Sequence, residues 1–211
     1  VASDVPALLS HTREVVFLDD QEMAVISVDG NHYFDFAGQK IEKETKKINW
    51  TAAQAEKGGY KHFMIKEIME QPRALADTVL GRVDRETNLV RFEKADFLLE
   101  EFLNGHHPKI NLIACGTSWH AGLLAKYWIE KFSKIPTQVD LASEFRYRDP
   151  IVDENTLVIP ISQSGETADT LAAVMDSKEK GANILSICNA IESSIPRNSD
   201  ATLYTYAGPE L

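Results

Sequence analysis

The rhythm of apolar and polar positions changes twice along the chain. Between residues 13 and 37 the runs REVVFL, EMAVISV and HYFDFA are short and apolar, and Asp19-Asp20 and Asp29-Gly30-Asn31 separate them. Short apolar runs bounded by Asp, Asn and Gly are strand-and-turn chemistry, so this region predicts a small antiparallel meander. Such a sheet is too small to stand alone and reads as the edge of something larger. Residues 38–60 turn polar and end near the Gly58-Gly59 pair, which predicts a partly ordered linker and a domain boundary. Trp50 and Tyr60 inside it imply that it packs rather than floats free.

From His62 the period becomes helical. Ile65, Ile68 and Met69 share one face, followed after Pro72 by Leu75, Val79 and Leu80. Pro72 is expected to break or kink this stretch into two pieces. KADFLLEEFLNG predicts another short amphipathic helix, with Gly105 as its stop. From Lys109 onward apolar strands alternate with helical stretches. KINLIAC leads to SWHAGLLAKYWIEKFSK, TQVDLA to SEFRYRD, TLVIPIS to ADTLAAVMDSKEKG, NILSIC to NAIESSIPRNSD, and ATLYTYA closes the series. That alternation predicts an α/β layered domain around a parallel sheet.

The totals narrow the function classes. At 211 residues the chain has room for one or two domains and a full core. Its 44% hydrophobic and 26% charged residues are those of an ordinary globular protein. A formal net charge of -10 argues against general binding to nucleic acid or an anionic membrane. It leaves room for one small phosphorylated ligand, which feels local dipoles more than net charge. Two cysteines, Cys115 and Cys188, make no disulfide framework and point to a reducing cytoplasm. No apolar stretch approaches the roughly 18 residues of a membrane span, and the first residues lack the basic start and apolar run of a signal peptide. The chain opens on Val1 rather than Met, as a fragment would.

Two loops carry unusual chemistry. Cys115-Gly116-Thr117-Ser118 follows the strand INLIA, and Ser162-Gln163-Ser164-Gly165-Glu166-Thr167 follows TLVIPI. Each ends a buried strand, turns at a glycine and places hydroxyls at a helix start. A helix N-terminus offers unpartnered N–H groups and partial positive charge, which suits an anion such as phosphate. Gly116 and Gly165 let the backbone come close, and Gln163 can both donate and accept. Neither loop holds Lys or Arg, so a phosphate there would rest on neutral dipoles, as befits a reversibly bound metabolite. Ser and Thr at helix starts are also ordinary caps. Ser164 and Thr167 could serve that way, but Ser162 and Gln163 would then be surplus. The G-x-G-x-x-G and G-x-x-x-x-G-K-[ST] signatures of dinucleotide and P-loop sites are absent from the sequence.

The stretches ASDVPALL, KEIMEQP, CGTSWHAG, ASEFRYRDP and SQSGETADT, in this order and spacing, resemble the glutamine–fructose-6-phosphate aminotransferase (isomerizing) family, also called glucosamine-6-phosphate synthases. The resemblance runs nearly end to end. It implies that residues 1–50 are the tail of a glutaminase domain, 51–61 a linker, and 62–211 a first sugar isomerase (SIS) domain with N-terminal helices. The implied fold is a doubly wound, flavodoxin-like parallel sheet preceded by a small antiparallel segment. The implied reaction makes glucosamine 6-phosphate from fructose 6-phosphate and glutamine without a cofactor, in a homodimer. By resemblance, Ser162, Gln163, Ser164, Thr167 and Ser118 contact the sugar phosphate and Thr117 lies beside the sugar, with Cys115, Gly116 and Gly165 completing the two loops. The family's N-terminal cysteine nucleophile has no counterpart here, and its isomerase Glu, His and Lys fall beyond Leu211. The expectation is therefore a sugar-phosphate-binding half-site with no catalytic residue in this chain, inactive alone.

Two other classes compete. A non-catalytic SIS-type sugar-phosphate sensor would share both loops but has no reason to carry glutaminase-like strands. A flavodoxin-like cofactor domain would need aromatic flanks around a flat ring, which are not evident. Among the six histidines only His106-His107 are neighbours, in a loop, and no metal site is expected. Cys115 at a helix start could have a lowered pKa, or be a buried structural thiol. Glu144, Arg146 and Arg148 could build a substrate or subunit contact, or form a surface ion-pair cluster. The KETKK run reads as a solvated face.

Overall fold

The computed structural model describes residues 1–2, 5–9, 11–48, 57–92, 94–104 and 108–208. Trp50, most of the expected linker, the Gly105 stop and His106-His107 lie outside the described residues. The chain divides into two compact units, one running from Val1 to Phe63 and one from Met64 to Glu210.

In the first unit a short 3-10 turn, Pro6–Leu8, precedes two small sheets. Strands β2 (Glu22–Ser27), β3 (Gly30–Asp35) and β4 (Lys40–Ile41) form an antiparallel meander. Ser27 faces Gly30 across the first hairpin, which leaves Val28 and Asp29 as its turn. The strand expected over REVVFL shrinks to β1 (Glu14–Val15), and its partner is β5 (Lys46–Lys47), inside the stretch that reads as polar linker. Polar composition there signals solvent exposure, not absence of pairing, because a two-residue strand needs only its backbone to join a ladder. Lys43 anchors the same stretch, reaching both Asp19 and Glu22 at 2.7 Å.

The second unit is the α/β domain. It takes in helix α1 (Phe63–Val79) from Met64 onward, and helix α2 (Lys94–Leu103). Then come β6 (Lys109–Ala114), α3 (Gly116–Ser133), β7 (Thr137–Leu141), α4 (Ala142–Tyr147), β8 (Thr156–Ser162), α5 (Ala168–Glu179), β9 (Asn183–Cys188), α6 (Ser194–Arg197) and β10 (Ala201–Tyr204). The five strands lie parallel in the order β10-β9-β8-β6-β7. The chain thus starts in the middle, steps out one way to β7, returns to β8 beside β6, and continues outward the other way.

Strand alternation splits the core in two. Leu157 and Ile159 face one side, with Ile110, Leu112 and Leu185, against Ala95, Leu98 and Phe102 of α2. Val158 faces the other, with Ile113 and Ile184, against Phe145, Ala173, Val174 and Ile195. Each such side chain contributes about 1.5–3 kcal/mol on burial, so this double-sided sheet is the anchor of the unit. Helix α3 lies close on the sheet at Gly122, where an added Cβ would stand 3.2 Å from Val139.

One expectation about α1 fails. Pro72 does not divide it: the helix runs unbroken through the proline. A proline removes one N–H and crowds the preceding turn, but Pro72 is exposed and the flanking turns hold the helical path on both sides. The apolar face also stays largely uncovered, with Met64, Ile65, Ile68, Met69, Leu75, Val79 and Leu80 all exposed. Periodicity marks an apolar face but does not say what lies against it. A further departure from simple strand chemistry is Pro160, fully buried in the central strand β8. It stands opposite Ile113 of β6, while the ladder to β9 pairs Leu157-Val158 and resumes at Ile161-Ser162, passing over Ile159 and Pro160. Among the described residues no helix is long and apolar enough to cross a membrane.

Candidate functional site

The sheet order fixes where the chemistry sits. The chain leaves β6 toward one edge and β8 toward the other, so the carboxyl ends of these adjacent strands form the switch point where open α/β sheets bind ligands. Ala114 is paired with Ile161, and both candidate loops therefore leave the sheet side by side, one strand spacing of about 4.8 Å apart. Cys115, Gly116, Thr117 and Ser118 occupy one loop and Ser162, Gln163, Ser164, Gly165 and Thr167 the other. All nine residues singled out from the sequence lie at this edge.

In the first loop Cys115 is the extended residue before α3, and its side chain makes no cap. Gly116 turns the chain at φ +57, and Thr117 and Ser118 complete the first helical turn. Neither hydroxyl has a hydrogen bond to another described residue. Cys115 Sγ is approached by the Thr170 hydroxyl of α5 at 3.9 Å, a weak contact that joins this loop to the helix of the second. His120 Nδ1 lies 3.1 Å from the Gly116 carbonyl, so Nδ1 carries the proton there, and the Trp119 ring meets His120 edge-on.

The second loop is more tightly built. Ser162 is buried, and its Oγ accepts the Gly165 N–H at 3.0 Å. The Thr167 hydroxyl lies 3.4 Å away. Ser164 Oγ accepts the Glu166 N–H at 3.2 Å and is otherwise exposed. Thr167 precedes α5 in extended conformation, yet its side chain does not cap the helix. Capping thus does not account for the hydroxyls: Ser162 and Ser164 stabilise the turn itself, while Thr167 leaves the helix start open. The Gln163 side chain has no hydrogen bond to another described residue.

Segment 188–195, after β9, braces this loop from behind. The Gln163 carbonyl accepts N–H groups from Asn189 and Ala190 at 3.3 and 3.1 Å, and the Gly165 carbonyl accepts the Ile195 N–H at 2.9 Å. Gly165 sits at φ +68 with no room for a side chain, since a Cβ would fall 1.8 Å from Ser193 Oγ and 2.8 Å from Cys188 Sγ. Burial pushes the Cys188 thiol above its ordinary pKa, against the partial relief of its contact with Ser193 Oγ at 3.6 Å. Ser193 in turn donates to the Ala190 carbonyl at 2.8 Å. None of these bracing residues stands out in the sequence, because their contacts run to a loop some 25 residues away.

Electrostatically the site is made of dipoles. No Lys or Arg stands in either loop, and the positive ends of α3 and α5 supply the only favourable field for an anion from the loops themselves. The arginines of SEFRYRD are engaged in surface ion pairs: Arg148 with Asp140 at 2.8 Å, and Arg146 with Asp169 at 3.7 Å. Among the described residues no three His, Cys, Asp or Glu side chains come together to hold a metal ion. The arrangement can bind and orient an anionic group, and it presents no paired acid and base.

Comparison with known proteins places the chain in a family. The SIS domain family matches residues 103–211. The chain is 49% identical over 211 residues to the glutamine–fructose-6-phosphate aminotransferase (isomerizing) of Clostridium acetobutylicum. It is 50% identical over 215 residues to that of Caldanaerobacter subterraneus subsp. tengcongensis. Both alignments cover 100% of this chain and 34% of the relative, so the chain spans about a third of the length of the curated relatives it matches. The solved C-terminal domain of glucosamine-fructose-6-phosphate aminotransferase from Francisella tularensis superposes with a TM-score of 0.66 at 44% identity. That match covers 74% of this chain and 42% of the solved one.

Proposed function

The chain belongs to the SIS-domain family, and from that premise we propose that it supplies the sugar-phosphate-binding half of an isomerase site, in an enzyme that makes glucosamine 6-phosphate from fructose 6-phosphate and glutamine. In this reading Ser162, Gln163, Ser164 and Thr167, with Ser118 from the neighbouring loop, receive the phosphate. Thr117 lies beside the sugar, Cys115 follows the strand beneath it, and Gly116 and Gly165 keep the backbone close enough for N–H groups to reach the ligand. Residues 1–50 belong to a glutaminase domain, 51–61 to a linker, and 62–211 to the SIS domain. No catalytic step is assigned to a residue of this chain. The protein acts in the cytoplasm as a homodimer, with glutamine as the nitrogen source.

The observation that carries this reading is the pair of uncapped helix starts at the switch point, α3 and α5, with the side chains of Thr117, Ser118 and Gln163 making no hydrogen bond among the described residues. The names of relatives near 50% identity favour fructose 6-phosphate over other phosphorylated sugars. The test is calorimetric titration of the chain with fructose 6-phosphate beside Ser164→Ala. Loss of one hydrogen bond to a charged group is worth about 1.5–3 kcal/mol, so the variant is expected to bind roughly ten- to a hundredfold more weakly. Equal affinity in the two proteins would refute the role given to the serine loop.

A further inference from the structure

A carboxylate in a phosphate-binding loop calls for an explanation, because its charge opposes the ligand. Glu166 is the only ionisable side chain in residues 162–167. It does not stand free: its Oε1 accepts the backbone N–H of Ser194 at 2.8 Å, 28 residues along the chain. That bond lies next to the one from the Ile195 N–H to the Gly165 carbonyl and completes the brace that begins with Asn189 and Ala190 on the Gln163 carbonyl. Residues 163, 165 and 166 are thus each fastened to segment 189–195. The fastenings at 163 and 165 use backbone atoms on both sides, while that at 166 depends on a side chain.

We infer that Glu166 is a positioning residue that clasps the phosphate loop to the start of α6, holding Gln163 and Ser164 in register for the ligand. The inference rests on the sugar-phosphate reading above. The carboxylate acts as an acceptor, and the Ser194 N–H that it engages offsets part of its charge. A neutral acceptor of the same shape should therefore serve as well, whereas removal of the acceptor should loosen the loop.

The experiment uses the whole chain in three forms: wild type, Glu166→Ala and Glu166→Gln. Fructose 6-phosphate affinity is measured by calorimetry, and backbone amide exchange is followed at residues 163–167 and 194–195. Glu166→Ala is expected to weaken binding about tenfold, the equivalent of one charge-assisted hydrogen bond, and to speed exchange in both segments. Glu166→Gln is expected to restore affinity and protection to within about twofold of wild type. Wild-type affinity in Glu166→Ala overturns the inference, and so does a Glu166→Gln protein that is folded but as weak as the alanine variant. If the wild type binds no fructose 6-phosphate, the sugar-phosphate reading falls. The clasp is then judged by exchange alone, and unchanged protection in Glu166→Ala overturns it.

Discussion

Replacing Gly165 with alanine tests how closely the loop is fitted to its brace. Three costs add at this position. The backbone sits at φ +68, where an L side chain costs about 1–2 kcal/mol. The new methyl would lie 1.8 Å from Ser193 Oγ, so that hydroxyl must leave its bond to the Ala190 carbonyl, at about 1–3 kcal/mol for the group left unsatisfied. Rotation does not clear Ser193 Cβ at 2.7 Å or Cys188 Sγ at 2.8 Å, and forcing these buried atoms apart adds about 1–3 kcal/mol of overpacking. A loss on the order of 5 kcal/mol is therefore expected, a large part of the stability of a typical domain. The control is Gly181→Ala, at φ +87, where the nearest atom is 4.0 Å away and only the backbone cost of about 1–2 kcal/mol applies. Urea unfolding of both variants decides the matter. Adding Ser193→Gly to Gly165→Ala should recover part of the loss, since it removes the two nearest of the clashing atoms. A Gly165→Ala protein no less stable than Gly181→Ala would refute the close fit, and with it the brace.

Further predictions follow from Cys188 and from the absence of cations in the loops. The Cys188 thiol is raised by burial, so the folded state holds its proton longer than the unfolded chain does. Stability from this group is present in full below the unfolded thiol pKa of about 8.5 and declines as pH rises through that value toward the folded one. Urea midpoints taken from pH 7.5 to 9.5 should fall less steeply in Cys188→Ala than in wild type, and an equal or steeper fall would contradict the assignment. Iodoacetamide at pH 8 should label the partly exposed Cys115 before the buried Cys188, with mass spectrometry of the peptides as the readout. For a ligand anion meeting a chain of net charge -10, raising ionic strength from 0.01 to 0.15 M shortens the screening length from about 30 to 8 Å and weakens the repulsion. Fructose 6-phosphate affinity should then hold or rise; a clear fall would point to a cationic contact outside the two loops.

Much of the α/β unit is legible in the sequence because its strands are buried on both faces and its helices follow at short intervals. The runs KINLIAC, TLVIPIS and NILSIC mark β6, β8 and β9 to within a residue or so. Both candidate loops are visible for the same reason, as clusters of Gly, Ser and Thr between a strand and a helix. What stays hidden depends on distance in the fold. Nothing local in Glu14-Val15 points to Lys46-Lys47, nothing in Gly165 announces Ser193, and Pro72 looks like a breaker until the turns on either side are seen to carry the helix through. The α1 periodicity marks an apolar face correctly, but burial is a property of neighbours and cannot be read from spacing.

The brace has one more consequence, for the order in which the molecule is made. Among the described residues, every hydrogen bond that shapes the second loop joins residues between Ser162 and Ile195, so the loop needs only the stretch from β8 to α6 to take its form. Loop-closure entropy grows only slowly with loop length, so spans of 26 to 30 residues cost little more than shorter ones. The second loop can thus be complete as soon as one strand–helix–strand unit has closed and the first turn of α6 is in place, before β10 joins the sheet edge.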